Sequence, residues 1–335
     1  TGQYALSETH HRPHYDGRSG ADTLAYQRYF AIGERLHMMQ ASSRNLKKVV
    51  VPVLAGIVLL FIVLLLTAQP APEHPFFAQA GQRPLVIAHR GGRGLWPEET
   101  MYAFSHAVEL GVDVLEMDVY SSSDGVLVLM HNKTVNATTN GSGVVYKLTL
   151  EELKALDAGY YWTADGGQSF PFRGQGIQVA TLDEVFTAFP DMLFNIEIKQ
   201  FNPPIAQPLC TLIRAHGLQD RVLVASFFPQ VMQEFRQACP EVAVSGSENE
   251  IQLFFAASKL FLHSAFTPSS HAYQVPEYHD NIHLVTAGFV QAAHNRNVEV
   301  HVWTVNDKED MQRLARLGID GIITDYPDRL LEVLG

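Results

Sequence analysis

Residues 85–100 read LVIAHRGGRGLWPEET and residues 114–132 read VLEMDVYSSSDGVLVLMHN, and the fold turns on how these two stretches are parsed. Leu85 to Ala88 is a short apolar run that ends at His89 and Arg90, before a glycine-rich turn. Val114 to Val119 is a second run, carrying Glu116 and Asp118, and Val126 to Met130 is a third that delivers His131. Two histidines, one arginine and two carboxylates therefore leave strand ends within one segment. That is more polar chemistry than a core tolerates unpaired, and it marks a candidate active site.

Working outward, further strands are expected at Leu193 to Ile198, Val222 to Ala225, Val242 to Val244, Leu260 to Leu262, Val298 to Val302 and Gly321 to Thr324. Amphipathic segments fall between them at Tyr102 to Leu110, Pro204 to Ala215, Gln230 to Ala238, Phe289 to Asn295 and Lys308 to Leu317. Capping boxes are expected at Thr149 with Glu152, Thr181 with Glu184 and Ser247 with Glu250. Apolar runs alternating with helices indicate a parallel sheet buried on both faces. About eight such units in roughly 250 residues fit a (β/α)8 barrel, although the same periodicity also admits an open doubly wound sheet. Asn132 to Ala180, rich in Gly, Thr and Asn, interrupts the alternation and reads as an excursion over the barrel mouth.

Upstream, residues 1–48 are polar and read as a mobile tail with a short helix near Leu24 to Met39. Val49 to Leu66, VVVPVLAGIVLLFIVLLL, carries no charge. A helix of that length spans roughly 27 Å, so residues 49–67 read as a transmembrane helix. Arg44, Lys47 and Lys48 precede it and no basic residue follows at once, which places the N-terminus in the cytoplasm and the rest outside it, in a periplasmic, extracellular or luminal space. Residues 68–84 contain Pro70, Pro72, Pro75 and Pro84 and read as a semi-rigid linker to a domain at 85–335. Phe76 and Phe77 within it would dip into the membrane interface or dock on the domain.

The 335-residue chain is 47% hydrophobic and 18% charged, a globular composition able to bury a large core. Residues 1–48 hold seven Lys/Arg and four Asp/Glu, so the remainder holds 17 against 31, a net −14. An acidic domain argues against nucleic acid as a partner and is compatible with a divalent cation. Protein partners are not indicated. Cys210 and Cys239 lack a metal-ligand spacing and read as two buried small hydrophobes, with a single disulfide as the alternative.

His89 and Arg90, Glu116 and Asp118, Glu197 and Lys199, Ser226, Trp303 and Asp325 all sit at or just beyond the C-terminal end of an apolar run. In a barrel those ends share the face on which active sites are built. Glu116 and Asp118 are two apart on a strand, as are Glu197 and Lys199, so each pair points to one side. Three carboxylates gathered there repel one another unless protonated, paired or bound to a cation, and oxygen donors without cysteine suit Mg²⁺ or Ca²⁺. Two histidines suit general acid and base, and Arg90 offers a planar fork for phosphate oxygens.

The succession HRG, PEET, ExD, GVLVLMHN, EIK, WTVN and DGIITDYP resembles the glycerophosphodiester phosphodiesterases over residues 85–335. The resemblance implies a (β/α)8 TIM barrel with a small insertion at about residues 132–180. It implies Glu116, Asp118 and Glu197 as metal ligands, His89 and His131 as the acid/base pair, Arg90 and Lys199 as phosphate contacts, Trp303 as a wall of the substrate groove, and Glu98 in support. Two positions depart from the family pattern: Glu99 stands where Asn is usual, and Asn132 where Asp is usual. The activity implied is metal-dependent hydrolysis of glycerophosphodiesters to glycerol 3-phosphate and an alcohol, through a cyclic phosphate.

Tethering near a bilayer makes lysophospholipids a second substrate class, hence a lysophospholipase D, with Phe170, Phe172, Phe227 and Phe228 as residues to receive an acyl chain. A catalytically silent barrel that binds lipid headgroups is the reading from a different class. Asn132, Asn136 and Asn140 each begin an Asn-x-Ser/Thr triplet, and a glycan at Asn132 would crowd the site.

Overall fold

A computed structural model describes residues 20–79 and 84–335. The chain divides between Val63 and Leu64 into two compact units. The first consists of most of α1, a single helix Gly20–Thr67 of 48 residues that runs through Pro52. The expected short helix and the apolar run are thus one element. Extending an existing helix is far easier than nucleating one, so a sequence with weak amphipathic periodicity still propagates it. The helix expected near Leu24 to Met39 is longer than read, beginning at Gly20, and residues 1–19 lie outside the described residues. Within Lys48–Thr67 an 18-residue stretch has a mean hydropathy of 3.3, and the segment is long and apolar enough to cross a membrane.

The second unit is a (β/α)8 barrel. Its strands and their extras are β1 Leu85–Ala88, β2 Val114–Ser121, β3 Leu127–Leu129, β4 Leu193–Ile198, β5 Val222–Ala225, β6 Ala243–Val244, β7 Ala272–Pro276, β8 Tyr278–His279, β9 Ile282–His283, β10 Glu299–Trp303 and β11 Gly321–Thr324. Eight parallel strands follow one another in the order β6, β5, β4, β2, β1, β11, β10, β7. A parallel bridge between Ser245 and Ala272 completes the ring, with the Gly246 N–H donating to the Ala272 carbonyl at 2.8 Å. The open doubly wound alternative is thereby excluded.

One expected strand lies outside the ring and another is corrected. Val126 to Met130 gives β3, which pairs antiparallel with β2 outside the ring. Leu260 to Leu262 is no strand but the exposed end of a helix, and the strand in that part of the chain is β7. The AYQVP of β7 is interrupted by Gln274 and Pro276, so its apolar signal is weaker than that of LFL. The β8–β9 hairpin was not anticipated from the sequence either.

Helices α2 Met101–Leu110, α4 Leu182–Ala188, α5 Ala206–His216, α6 Pro229–Ala238, α7 Glu248–Lys259, α8 Ala287–His294, α9 Lys308–Leu317 and α10 Pro327–Leu334 alternate with the ring strands, and α3 Leu150–Lys154 lies in the excursion. Capping boxes form at Thr149 with Glu152 and at Thr181 with Glu184. The third does not: Ser247 is the N-cap of α7 without a side-chain bond, because Glu250 is drawn to Ser269, Ser270 and Arg236. Cys210 on α5 and Cys239 at the end of α6 form a disulfide, Cα to Cα 5.6 Å, in place of the two separate thiols expected. Consecutive barrel helices pack side by side, which brings the two cysteines together.

Strand alternation sorts the interior into layers. Leu85, Ile87, Val114, Leu193, Leu223, Ala243, Ala272 and Ile323 make an apolar floor inside the ring, while Val86, Leu115, Phe194, Val224 and Ile322 face the helices. Phe76, wholly buried, packs into that floor with Phe77 beside it. The linker aromatics are therefore docked on the barrel. Above the floor the inward positions turn polar: Asn195, Glu116, Asp118 and Glu197.

Candidate active site

The first loop sets the site. Arg90 adopts φ 52°, followed by Gly91 at 78° and Gly92 at 89°, a succession of left-handed residues that only glycine takes without strain. A Cβ on Gly91 would stand 2.9 Å from the Cβ of Ala103. This tight turn aims the Arg90 N–H at Glu116, to which it donates at 2.8 Å. The Arg90 guanidinium reaches Glu98 at 3.0 Å and Asp118 at 3.2 Å. Arg93 adds a second cation to Glu98 at 3.3 Å.

Lys199 Nζ lies 3.1 Å from Asp118 and 2.8 Å from Glu197. Burial works against its charge, but the surrounding carboxylates, Asp118 first, hold its pKa above the ordinary lysine value. Burial, reinforced by the charge of Asp118, pushes Glu116 and Glu197 up to about 7. Glu99 is pushed well above the carboxylate range by the same two causes, and its Oε1 accepts the Asp118 N–H at 2.9 Å.

The histidines are held differently. His89 Nδ1 is 2.6 Å from Asp325 Oδ1, and Asn306 clamps Asp325 by accepting its N–H and donating to Oδ2, both at 2.9 Å. His131 follows β3, whose pairing with β2 is continued by the Met130 N–H donating to Asp118 O at 3.0 Å. Its Nδ1 is 2.9 Å from Asn132 Oδ1, and burial lowers its pKa. The excursion packs a small core of Val135, Val145 and Leu153 against Val128 of β3. It is tied over the first loop by Trp162, whose Nε1 donates to the Arg93 carbonyl at 2.9 Å.

His89, Arg90, Glu116, His131, Glu197, Lys199 and Trp303 line one cavity of about 850 Å³. Asp118, the eighth residue expected there, is joined to it through Arg90 and Lys199. The sequence reading did not assign roles to Asp325, Asn306 or Asn195. Asn195 was detectable from its place two residues before Glu197 on one strand, whereas the contact of His89 with Asp325 spans 236 residues. Ile251, Phe255, Val275, Pro276, Ile282 and Leu284 add apolar surface to the cavity, with Gln252, Gln274, His279 and Asp280 among them. Phe227 also lines it, edge-on to Trp303 at 5.8 Å, and the Trp303–Thr304 peptide is cis. The other three phenylalanines expected to receive an acyl chain are engaged elsewhere. Phe170 lies under the Arg173 guanidinium, Phe172 packs on Tyr102 and Trp162, and Phe228 packs on Phe201.

The acids fit a cation. Glu98, Glu99, Glu116, Asp118, Glu197 and Asp325 are six carboxyls facing the three fixed cations Arg90, Arg93 and Lys199. Among the described residues Asn195 Oδ1 is buried with no hydrogen-bond partner, and Asp118 Oδ2 is buried facing Arg90 Nε at 3.2 Å, outside hydrogen-bond geometry. Cys210, Cys239 and Glu241 also bring ligand-type atoms within 4.8 Å of one another, but the sulfurs are bonded to each other and offer no thiolate.

The profile of the glycerophosphoryl diester phosphodiesterase family matches residues 89–329. The chain belongs to this family. A glycerophosphodiester phosphodiesterase of Caldanaerobacter subterraneus is 36% identical over 257 residues, covering 75% of this chain and 98% of the relative. Another, of Bacillus altitudinis, is 31% identical, covering 74% and 97%. Among solved structures, an Oleispira antarctica phosphodiesterase in complex with the product sn-glycerol-3-phosphate superposes with a TM-score of 0.61 at 25% identity, covering 75% of this chain and 97% of that one. As a glycerophosphoryl diester phosphodiesterase family member the protein is a phosphoric diester hydrolase, and the site residues all fall inside or beside the matched segment.

Proposed function

We propose that the protein hydrolyses glycerophosphodiesters to glycerol 3-phosphate and an alcohol by histidine acid/base catalysis with a divalent cation. The observation that carries this reading is the unequal support of the two cavity histidines. His131 has only the uncharged Asn132 amide at Nδ1 and burial holds its pKa below the ordinary histidine value, whereas His89 has the Asp325 carboxylate at Nδ1. With Nδ1 occupied on each ring, Nε2 is left for the substrate.

His131 is accordingly the base. It takes the proton of the glycerol hydroxyl next to the phosphate, and that oxygen attacks phosphorus. His89 is the acid and protonates the departing alcohol oxygen. Water then opens the cyclic phosphate with the two roles exchanged, His89 activating the water and His131 returning its proton to the glycerol oxygen. Glu116, Asp118 and Glu197 would hold the cation, Mg²⁺ or Ca²⁺, which when bound supplies positive charge to the phosphoryl oxygens. Arg90 and Lys199 hold the surrounding carboxylates in place and add positive charge at the phosphate. Glycerol 3-phosphate release from glycerophosphocholine by the full chain in lipid nanodiscs tests the reading. Release that is lost in EDTA and restored by Mg²⁺ or Ca²⁺ supports it; equal turnover in chelator refutes the metal role.

The apolar surface within the cavity favours a second substrate, lysophospholipids, whose acyl chain would lie along Ile251, Phe255 and Ile282. Ile282→Asp is then expected to slow lysophosphatidylcholine turnover while sparing glycerophosphocholine. Helix α1 would cross the membrane through Lys48–Thr67, with residues before it cytoplasmic and the barrel outside the cytoplasm. The Cys210–Cys239 disulfide supports that placement, because such bonds persist in oxidising compartments.

A further inference from the structure

We propose that the tip Leu260–Phe261–Leu262 at the end of α7 inserts into the interface of the bilayer that anchors the chain. The proposal rests on the reading of α1 as a membrane span.

The tip is a helix stop of unusual composition. The Phe261 N–H donates to Ser258 O at 3.2 Å and the Leu262 N–H to Ala257 O at 2.8 Å, the two bonds of a Schellman motif. The residue between them must be left-handed and is normally glycine; here it is Phe261, at φ 58°. That conformation strains a side-chain-bearing residue, and burial would offset the strain. Phe261 is nevertheless 85% exposed, and Leu260 and Leu262 beside it are exposed as well. The domain itself gains nothing from an aromatic at this position.

The chain path brings a bilayer within reach. Helix α1 ends at Thr67, and two residues later the Gln69 N–H donates to Thr267 Oγ1 at 3.3 Å. The Ala71 N–H then donates to Arg296 O at 2.8 Å, and Asn297 donates to Ala71 O at 2.8 Å. The chain therefore joins the barrel at Thr267, five residues beyond Leu262 and on the face opposite the cavity. Helix α7 starts at that cavity, which Glu248, Ile251 and Phe255 line, and its last turn carries the chain on to the tip at Leu260.

The charge suits a lipid surface. Residues 256–271, AASKLFLHSAFTPSSH, hold no acid in a domain of net −14, and Lys259 stands exposed beside the tip. An apolar point with a flanking lysine matches the headgroup boundary.

Site-directed nitroxides on the full chain in liposomes test this. Both native cysteines are in the disulfide, so Phe261→Cys, Leu260→Cys, Tyr278→Cys and Ile57→Cys each give one free thiol. We expect labels at 57, 260 and 261 to collide more with oxygen than with a polar nickel chelate, and the label at 278 to show the reverse. A label at 57 in lipid with both tip labels in water overturns the tip and leaves the span intact. A label at 57 in water overturns the span and the tip together. Tip labels shielded from both agents place a second protein molecule there and likewise overturn the proposal.

Discussion

His89 and His131 are the same side chain placed against different partners, and that difference is open to substitution. Asn132→Asp puts a carboxylate on His131 Nδ1, raising the pKa of the proposed base. A base works when neutral, so the acidic limb of kcat/KM against pH is expected to move to higher pH. An unmoved limb would place His131 outside that step. His131→Ala is expected to lower kcat by about 10²-fold or more. Both departures from the family pattern were visible in the sequence, but not their geometry. Asn132 supplies the His131 contact, and Glu99 occupies a left-handed position, φ 60°, that asparagine takes more readily. The partnership of His89 with Asp325 was not legible, because no local pattern reports a contact made only when the ring closes.

At the level of elements, alternation of apolar runs located most of the barrel, and its errors have physical causes. Nine runs were read as strands; two were not ring strands and β7 was passed over, which restores eight. Apolar content cannot distinguish a strand in the ring from one beside it, as β3 shows, nor a buried run from one turned outward, as Leu260 to Leu262 shows. The disulfide was undecidable from two cysteines until α5 and α6 were side by side. It closes a separation of 29 residues, and its removal by Cys210→Ser with Cys239→Ser is expected to cost about 3–4 kcal/mol in denaturant unfolding. Phe76→Ala opens the barrel floor and is expected to cost about 3–5 kcal/mol in the same measurement. A cost near zero would mean that the floor is sealed without it.

For the molecule as a whole, the buried acids couple folding to pH. Glu116 and Glu197 move from an ordinary 4.5 to about 7 on folding, so between those values the folded state binds more protons than the unfolded state. Their contribution is fully present below pH 4.5 and is lost as pH rises through about 7. The Tm of the protein in EDTA is therefore expected to fall from pH 5 to pH 8, other groups being equal. Mg²⁺ or Ca²⁺ should raise Tm more at pH 8 than at pH 5, because ligation requires the ionised carboxylates. A metal-induced rise of equal size at both values would separate these carboxylates from cation binding.

The linker contacts also decide what happens when the chain is cut after α1. Gln69 and Pro70 are exposed, whereas Ala71 and Phe76 are already part of the barrel. On the proposed reading of α1 as a membrane span, a protease acting between Thr67 and Pro70 would detach the hydrophobic helix and leave the floor sealed, shedding a diffusible hydrolase in a single cleavage. A cut after Gln79 would instead sever the covalent link to Phe76 and loosen the barrel from below.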